Sequence, residues 1–415
     1  MTLITLEDLL SARERVQPII RATPVARSDS LSRLAGRPVL LKPEHQQRTG
    51  SFKIRGAYNH IAQLAPEVAV VAASAGNHAQ GVALAASLTG RAATIFMPRG
   101  AALPKVAATR TYGADVRLEG EVVDDCIGLA KAFAAATGAA FVPPFDDLQV
   151  IGGQGTVGLE LAEEAPDAEV VVVPVGGGGL LSGVAAALTL GNGPVRVGPG
   201  GALAGPRPRI RVVGVEAAGA PTMRRALDAG RPVTLDGVAT MADGIAVATC
   251  SQLTLSHVQA YVDDVVTVDE EEISQAMLLL VERAKAVVEP AGAAALAAIL
   301  AGRVPGTGPA VAVLSGGNID PLLLTKLIEH GLSAAGRYLT LRIVMTDRVG
   351  ALAALTGELA RLELNVLDVE HHRSGRDLAL SEVEVQVTVE TRDPAHHAEV
   401  VRSLSAAGYW AEPVS

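Results

Sequence analysis

A single lysine stands among residue types that together could hold an aldehyde cofactor carrying a phosphate. Lys53 lies in a Ser-Phe-Lys-Ile-Arg-Gly segment at 51–56, and four consecutive glycines follow at 176–179. Two polar segments accompany them, Ser-Ala-Gly-Asn-His at 74–78 and Ser-Gly-Gly-Asn at 315–318. A lysine amine can form a Schiff base with a carbonyl compound, and successive backbone N–H groups can bind a phosphate. The combination predicts a site for pyridoxal 5′-phosphate.

Lys53 is expected in the first turn of a helix, because Ser51 is a favourable N-cap residue. The positive end of the helix dipole disfavours an ammonium group there, and burial would lower the pKa of the amine further. A neutral amine is what Schiff-base chemistry needs. Taken alone, Lys53 would be interpreted as a solvated surface lysine, and the other motifs change that interpretation.

The glycine run joins a predicted strand to a predicted helix, where backbone N–H groups can bind an anion. Residues without Cβ atoms allow the anion to approach closely. A Walker loop would need lysine followed by serine or threonine, and Leu180-Leu181-Ser182 stands here instead. The third glycine of a dinucleotide fingerprint is also absent from the sequence. The run therefore favours a monophosphate over ATP or NAD, with a glycine-rich packing turn as the alternative.

The two polar segments offer neutral groups. Residues 74–78 supply backbone donors for a substrate carboxylate, and the Asn77 amide could donate to a phenolic oxygen. Ser315 supplies a hydroxyl, beside which a pyridine nitrogen would stay largely unprotonated. This arrangement favours loss of a β-substituent over transamination. The alternative for Ser315 is a buried serine that only bonds to backbone.

Composition narrows the class of protein. The 415 residues suffice for about two or three domains, and a hydrophobic content of 49% predicts large buried cores. A net charge of −9 without a basic stripe argues against nucleic acid as a partner. Cys126 and Cys250 fit no metal-ligand spacing and are expected to be reduced, which favours the cytoplasm. The uncharged stretch 170–190 contains a proline and four glycines, so a buried strand and helix are expected there rather than a membrane span.

Short β-branched runs alternate with Ala/Leu-rich helical segments over the first three quarters of the chain, which predicts an α/β fold with open parallel twisted sheets and flanking helices. The predicted strands are 68–72, 92–97, 170–173, 210–216 and 310–314. Ligands bind beyond the carboxyl ends of such strands. We therefore expect the loops at Asn77, Gly176 and Ser315 to converge from one sheet edge. Residues 192–208, rich in Gly and Pro, are predicted to form a surface insertion.

A second domain is predicted after a boundary near residues 334–336. Its predicted elements begin with a strand at 339–345, a turn at 347–350 and a helix closed by Asn365. Two strands follow at 366–369 and 383–389, joined by a turn at 374–375. The pattern ends with a helix from Asp393-Pro394 to Gly408 and a short last strand at 409–410. The order βαββαβ predicts a ferredoxin-like module.

Together the motifs resemble those of the threonine dehydratases (threonine ammonia-lyases), which are fold-type II pyridoxal-phosphate enzymes. The resemblance covers residues 1 to about 325 and rests on RTGSFKIRGA (48–57), SAGNHAQG (74–81), GGGGL (176–180), VEPAGA (288–293) and SGGN (315–318). It implies a two-lobed catalytic domain over 1–330, with a smaller lobe at roughly 46–148. Residues 337–415 resemble an ACT regulatory domain. The implied reaction converts L-threonine into 2-oxobutanoate and ammonia, with L-serine giving pyruvate as a weaker activity.

The resemblance also implies roles for individual residues. Lys53 would hold the cofactor covalently and remove the α-proton, while Phe52 would flank the ring. Asn77 would bond the ring hydroxyl and Ser315 the ring nitrogen. The residues implied to cradle the phosphate are Gly176, Gly177, Gly178, Gly179 and Leu180. The residues implied to hold the substrate carboxylate are Ser74, Ala75, Gly76, Asn77 and His78. Gly350 and Asn365 are the candidate effector residues of the ACT-like domain.

Serine racemase shares most of these loops, but it uses a serine as a second base immediately before Gly-Asn-His. Ala75 stands at that position here, which favours elimination over racemisation. The related metal site would use Glu216, the carbonyl of Ala220 and an acid at position 222, and Thr222 breaks this pattern. No metal is therefore predicted.

The remaining alternatives are a catabolic-type serine/threonine dehydratase, another β-eliminating enzyme, and a binding protein that retains the loops as a scaffold. We expect a homo-oligomeric enzyme that supplies isoleucine biosynthesis and responds to isoleucine, with valine opposing it. For the ACT-like domain, the alternative is dimerisation without a ligand. Neither nucleic acid nor a membrane is an expected partner.

Overall fold

The computed structural model describes residues 2–191, 196–197, 203–204, 209–334, 336–373, 378–379 and 381–414. The chain divides into two compact units, Met1–Pro321 and Leu322–Ser415. Most of the predicted insertion at 192–208, residue 335 of the predicted boundary and the predicted turn at 374–375 lie outside the described residues. Within the described ranges, no helix combines the length and apolar character needed to cross a membrane.

The first unit alternates helices and strands. Its helices are α1 (Leu6–Val16), α2 (Asp29–Ala35), α3 (Lys53–Ile61), α4 (Asn77–Leu88), α5 (Leu103–Thr111), α6 (Val123–Thr137), α7 (Leu148–Glu164), α8 (Gly179–Leu190), α9 (Thr222–Ala229), α10 (Gln252–Tyr261), α11 (Glu270–Leu279) and α12 (Pro290–Leu300). Its strands are β1 (Ala26–Arg27), β2 (Val39–Lys42), β3 (Val70–Ala73), β4 (Ala93–Met97), β5 (Asp115–Leu118), β6 (Ala140–Phe141), β7 (Val170–Pro174), β8 (Arg196–Val197), β9 (Leu203–Ala204), β10 (Arg211–Ala217), β11 (Asp264–Val268) and β12 (Ala310–Val313).

Two sheets organise this unit, and together they confirm the predicted α/β class. The larger sheet has the order β1-β2-β12-β7-β10-β11 and is parallel except for β1. The smaller sheet has the order β5-β4-β3-β6 and is parallel throughout. Central β7 is buried along its whole length, which explains its unbroken run of valines.

The expectation that three loops leave one sheet edge is wrong. Asn77 follows β3 of the smaller sheet, whereas Gly176 and Ser315 follow β7 and β12, which are neighbours in the larger sheet. Alternation of strands and helices along the sequence does not encode which strands share a sheet, and so it could not separate the two. The loops that could form a site therefore come from two sheets.

The second unit contains most of α13 (Pro321–Ala334), followed by β13 (Tyr338–Thr346), α14 (Ala351–Arg361), β14 (Val366–His372), β15 (Glu382–Glu390), α15 (Pro394–Ala406) and β16 (Trp410–Pro413). The sheet order β14-β15-β13-β16 is antiparallel, and the predicted βαββαβ order is confirmed. Asp393 caps α15 as predicted, by accepting from the N–H of His396. Asn365 does not close α14, because the helix already ends at Arg361 with Leu362 as its cap residue.

Helices α7 and α8 of the first unit approach each other until their backbones touch. A Cβ atom on Gly183 would lie 2.4 Å from the carbonyl oxygen of Ile151 and 2.5 Å from the nitrogen of Gly155. A Cβ atom on Gly158 would lie 2.7 Å from the carbonyl oxygen of Val184. Glycine inside a helix costs stability relative to alanine, and here the close packing requires it.

A buried ionic network anchors α3, the helix that begins with Lys53. Both Arg55 and Glu44 have fully buried side chains, and the guanidinium lies 2.8 Å from the carboxylate. Arg55 also contacts Glu160 of α7 at 2.6 Å. Lys42, buried as well, lies 2.7 Å from Glu160 and 3.0 Å from Glu164. The network therefore ties α3 to β2, to the turn that follows β2 and to α7.

We expect Arg55→Ala to lower the free energy of unfolding by about 3–5 kcal/mol, because the change leaves Glu44 buried without its partner. Urea denaturation of both proteins measures the difference. Arg27→Ala is the matched control, since Arg27 pairs with Asp29 at the surface and both side chains are mostly exposed. Equal losses in the two variants would contradict the central role of the network.

Candidate active site

Lys53 is the first residue of α3, as predicted, but Ser51 does not cap the helix. The N-cap residue is Phe52, which makes no side-chain cap hydrogen bond. Ser51 has an extended backbone and forms an isolated β-bridge with Gly316, so the helix starts only after it. Its hydroxyl is buried and has no hydrogen-bond partner in the part of the chain that the structure describes. Long-range pairing has overridden a favourable local capping signal.

The Lys53 amine is buried beside a backbone carbonyl group and an aromatic ring, and its pKa is lowered. Its Nζ atom donates to the carbonyl oxygen of Pro144 at 3.0 Å and lies 5.2 Å from the ring centroid of Phe52. Burial lowers the pKa of Lys53 to about 8, while the nearby charge of Glu289 acts in the opposite direction. An appreciable fraction of the amine is therefore neutral near neutral pH.

Three side chains form a hydrogen-bonded row next to this lysine. The Asn77 amide nitrogen donates to Oε1 of Glu289 at 2.6 Å. The Asn318 amide nitrogen donates to Oδ1 of Asn77 at 2.7 Å, and also to the carbonyl oxygen of Thr49 at 2.7 Å. The row brings together the predicted segments around 50, 77 and 315, although they leave different sheets.

Glu289 is the functional candidate that the sequence analysis did not single out. It lies in the quoted segment 288–293, where no role was assigned to it. Its side chain is buried, and burial together with the charge of Asp243 raises its pKa to about 7, against the opposing hydrogen bond from Asn77. The available signal was a lone carboxylate directly before α12, a helix buried along almost all of its length.

The segment at 74–78 is held by local and long-range bonds. The Ser74 hydroxyl accepts from the N–H of Gly76 at 3.2 Å. His78 is buried, and its Nε2 atom lies 2.9 Å from the carbonyl oxygen of Val142. Burial, reinforced by the charge of Lys53, lowers the pKa of His78 to about 3. His78 is therefore a neutral donor, and backbone N–H groups are left to attract an anion. Ala75 lies within the same segment.

Ser315 is buried at the end of β12, and its carbonyl oxygen accepts from the N–H of Phe52 at 3.1 Å. The backbone next to Lys53 is thus fixed to the loop that carries Ser315. The two segments lie together as predicted.

The glycine run passes through a space too small for side chains. A Cβ atom on Gly177 would lie 2.2 Å from the ring of Phe145, and one on Gly178 would lie 2.7 Å from Cε of Met223. Gly178 has φ = 90° and is the N-cap residue of α8. The first N–H groups of a helix have no partner within the helix, so the start of α8 can bind an anion.

These residues fit pyridoxal 5′-phosphate. A buried lysine amine can hold the aldehyde, the glycine run before α8 can hold the phosphate, and the polar side chains of Asn77 and Ser315 can bond to the ring. The family described as pyridoxal-phosphate dependent enzyme matches residues 16–316, and the ACT domain family matches residues 339–406. The chain belongs to the pyridoxal-phosphate dependent enzymes of fold type II, and it carries a C-terminal ACT domain. The predicted cofactor and fold class are confirmed.

Individual relatives cover nearly the whole chain. The L-threonine ammonia-lyase of Thermotoga maritima is 46% identical over 411 residues, which is 98% of each chain. The L-threonine ammonia-lyase of Geobacter sulfurreducens is 42% identical over 402 residues, or 96% of each chain. Among solved structures, the processed form of threonine deaminase isoform 2 from Solanum lycopersicum has a TM-score of 0.71 at 35% identity and covers 78% of this chain and 87% of its own. Maize serine racemase has a TM-score of 0.72 at 34% identity and covers 80% and 99%.

Glu216, the first residue of the metal pattern considered above, forms hydrogen bonds with the protein backbone through its carboxylate. Its two carboxylate oxygens accept from the N–H groups of Met223 at 2.6 Å and Arg224 at 2.9 Å, in the first turn of α9. Thr222 donates its hydroxyl to the carbonyl oxygen of Val247. The carboxylate therefore stabilises the start of a helix.

The two candidate effector residues lie at opposite ends of α14. Gly350, with φ = 88°, is the N-cap residue, whereas Asn365 follows the helix and donates to Glu390 at 3.4 Å. Fourteen residues lie between them, and eleven of these form α14, a helix roughly 16 Å long. Within one copy of the domain they are two separate candidates.

We expect Gly177→Ala to weaken cofactor binding by at least about tenfold and to lower the free energy of unfolding by roughly 1–3 kcal/mol, because the added methyl group overlaps Phe145. Titration of the cofactor-free protein with pyridoxal 5′-phosphate and urea denaturation measure the two effects. Gly128→Ala in α6 is the control, since a Cβ atom there meets nothing within 4 Å. Unchanged affinity in Gly177→Ala would show that the run does not hold the phosphate.

Proposed function

We propose that this chain is a threonine ammonia-lyase that converts L-threonine into 2-oxobutanoate and ammonia, with L-serine as a weaker substrate. The observation that carries the proposal is the buried Lys53 amine, whose pKa is lowered to about 8, beside the Glu289–Asn77–Asn318 row. Similarity over nearly the whole chain to two L-threonine ammonia-lyases supports the choice of substrate.

Lys53 is proposed to hold the cofactor and then to remove the α-proton of the substrate. When bound, the cofactor supplies an electron sink for the charge that develops at the α-carbon. The amine is suited to proton transfer because its pKa, about 8, lies close to neutral pH. Its bond to the carbonyl oxygen of Pro144 fixes the position of Nζ.

The remaining residues bind and orient. The N–H groups at the start of α4 are proposed to hold the substrate carboxylate, and neutral His78 adds no charge to compete for it. Asn77 has one amide hydrogen bonded to Glu289, and the other is assigned to the ring hydroxyl of the cofactor. Ser315 is assigned to the ring nitrogen. The phosphate is assigned to residues 176–180, at the start of α8.

Ala75 is the residue that favours elimination over racemisation. A racemase must return a proton to the opposite face of the α-carbon, and the methyl group of Ala75 can neither give nor take one. Similarity to maize serine racemase over the catalytic part of the chain reflects the shared fold and loops. Serine racemisation is therefore the second candidate, which Ala75 disfavours.

We expect Lys53→Ala to abolish covalent attachment of the cofactor and to lower 2-oxobutanoate formation from L-threonine by at least about a thousandfold. Absorbance of the bound cofactor and a coupled assay for 2-oxobutanoate measure the two effects. Lys131→Ala, which changes an exposed lysine of α6, is the control.

Two outcomes of this experiment would overturn the proposed activity. Equal rates in Lys53→Ala and in the unchanged protein would remove Lys53 from the mechanism. Appreciable D-serine, detected by chiral analysis after incubation with L-serine, would favour racemisation instead.

The ACT domain is proposed to report the level of an end product. Support comes from the match over residues 339–406 in a chain whose relatives act on L-threonine. Isoleucine is the proposed inhibitor, with valine opposing it, which corresponds to a biosynthetic role in the cytoplasm and to a homo-oligomer. The two buried free cysteines accord with a reducing compartment.

We expect isoleucine at millimolar concentrations to lower the rate of 2-oxobutanoate formation and valine to restore it. Asn365→Ala should raise the isoleucine concentration for half-maximal effect by roughly threefold or more, since one hydrogen-bonding side chain is lost. Arg402→Ala, at an exposed position of α15, is the control. A rate that does not respond to isoleucine would remove the regulatory proposal and leave the chemistry unaffected.

A further inference from the structure

We propose that Glu289 is a positioning residue: its buried carboxylate holds the Asn77 amide in place and keeps a negative charge beside Lys53. The inference rests on the proposed roles of Lys53 and Asn77 in the reaction. It adds a residue to which the sequence motifs assigned no task.

The side chain of Glu289 is directed at Asn77 and not at the start of its own helix. Glu289 occupies the N-cap position of α12, yet its side chain makes no cap hydrogen bond there. Its Oε1 atom accepts from Asn77 instead, at 2.6 Å. The backbone on both sides is fixed, since its N–H donates to the carbonyl oxygen of Gly316 at 3.0 Å and its own carbonyl accepts from Gly292 at 2.9 Å. The Glu289 carboxylate therefore bonds to Asn77 of the site and does not cap α12.

A neighbouring glycine, Gly316, leaves room for this carboxylate. A Cβ atom on Gly316 would lie 2.3 Å from Oε1 of Glu289 and 3.0 Å from the amide nitrogen of Asn77. Any larger residue at 316 would displace the pair, which gives the first glycine of the Ser-Gly-Gly-Asn segment a physical reason.

The Asn77 amide is held by hydrogen bonds on both sides. Its Oδ1 atom accepts from Asn318, and one hydrogen of its amide group goes to Glu289. These two bonds fix the plane of the amide and leave one hydrogen for a ring oxygen of the cofactor. Without Glu289, a partly buried amide hydrogen would lose its partner and the plane of the amide would be held from one side only.

Electrostatics supports the second part of the proposal. The charged groups that act on Glu289 are Asp243 in the 3-10 turn Asp243–Ile245, Lys105 of α5 and Lys53 of α3, and Lys105 forms an ion pair with Asp243. The pKa of Glu289 is raised to about 7 and that of Lys53 is lowered to about 8. Glu289 is therefore mostly ionised where Lys53 titrates. Its negative charge favours the protonated lysine, so removing that charge must lower the pKa of Lys53 further.

The test compares Glu289→Ala and Glu289→Gln with a control, Glu169→Gln. Glu169 immediately precedes β7, at the strand end opposite the glycine run, and pairs with Arg37 and Arg211. Two quantities are measured on cofactor-free protein: the dissociation constant for pyridoxal 5′-phosphate, and the pH dependence of the rate of cofactor capture. Capture needs a neutral Lys53, so the midpoint of its pH profile reports the state of that amine.

We expect Glu289→Ala to raise the dissociation constant by about tenfold, because the partly buried Asn77 amide loses its acceptor and its fixed orientation. Glu289→Gln retains an acceptor for Asn77 and should change the constant by less than about threefold. The same variant removes the charge and should move the capture midpoint to lower pH by on the order of one unit. A purely structural role of Glu289 would not produce this shift.

Two results together would overturn the proposal. The first is a capture midpoint in Glu289→Gln equal to that of Glu169→Gln, and the second is a dissociation constant in Glu289→Ala equal to that of Glu169→Gln. If Glu289→Ala does not fold, the midpoint of Glu289→Gln decides alone. Failure of the proposed activity is visible separately, because the unchanged protein would then form no 2-oxobutanoate from L-threonine while the capture measurements could still be made.

Discussion

The buried ion pair between Arg55 and Glu44 is the interaction on which the position of the reactive lysine depends. Arg55 lies two residues after Lys53 in α3, and its guanidinium also reaches Glu160 of α7. A guanidinium without exposure to water is costly unless its partners are held in fixed positions, so the network tolerates little rotation or sliding of α3. The backbone of Arg55 is equally confined, because a Cβ atom on Gly153 would lie 2.4 Å from its carbonyl oxygen. The start of the helix, and Lys53 with it, is thereby fixed to α7 and to the turn that follows β2.

Close approach of backbones is the second constraint, and it links the fold to the site. Gly316 leaves room for Glu289, and Gly177 leaves room for Phe145. Each of these glycines stands in a loop that also carries a proposed functional group. A loop that must bring its backbone close to a ligand has to be free of side chains on that side, and the same lack of side chains lets it pack against the protein on the other. Binding and packing thus require the same residue type, which is why the glycine run alone could not tell a phosphate loop from a packing turn.

Local signals in the sequence predicted local structure well, whereas contacts between distant segments stayed hidden. The strand before Gly176, the helix after it and the Asp393 cap each follow from neighbouring residues, and the structure has them. Ser51 was a good cap by type, yet pairing with Gly316 in a distant loop decided its backbone. Glu289 was not recognised because its partner, Asn77, lies 212 positions away, on the helix that follows β3 of the other sheet. The membership of strands in two sheets was hidden for the same reason, since pairing between strands is a long-range property.

The site also costs the fold stability, and the pH at which it does so follows from its two titrating groups. The pKa of Glu289 is raised from its ordinary value of 4.5 to about 7. Between these two pH values the folded chain binds more protons than the unfolded chain, so the stability of the fold decreases as the pH rises. The pKa of Lys53 is lowered from its ordinary value of 10.5 to about 8. Between these two pH values the unfolded chain binds more protons than the folded chain, so the stability of the fold increases again as the pH rises. The site therefore destabilises the cofactor-free protein most between about pH 7 and 8, where Lys53 begins to lose its proton. The guanidinium of Arg55 keeps its charge throughout this pH range, because its carboxylate partners raise its already high pKa, and so it can hold α3 in place under the conditions in which Lys53 becomes reactive.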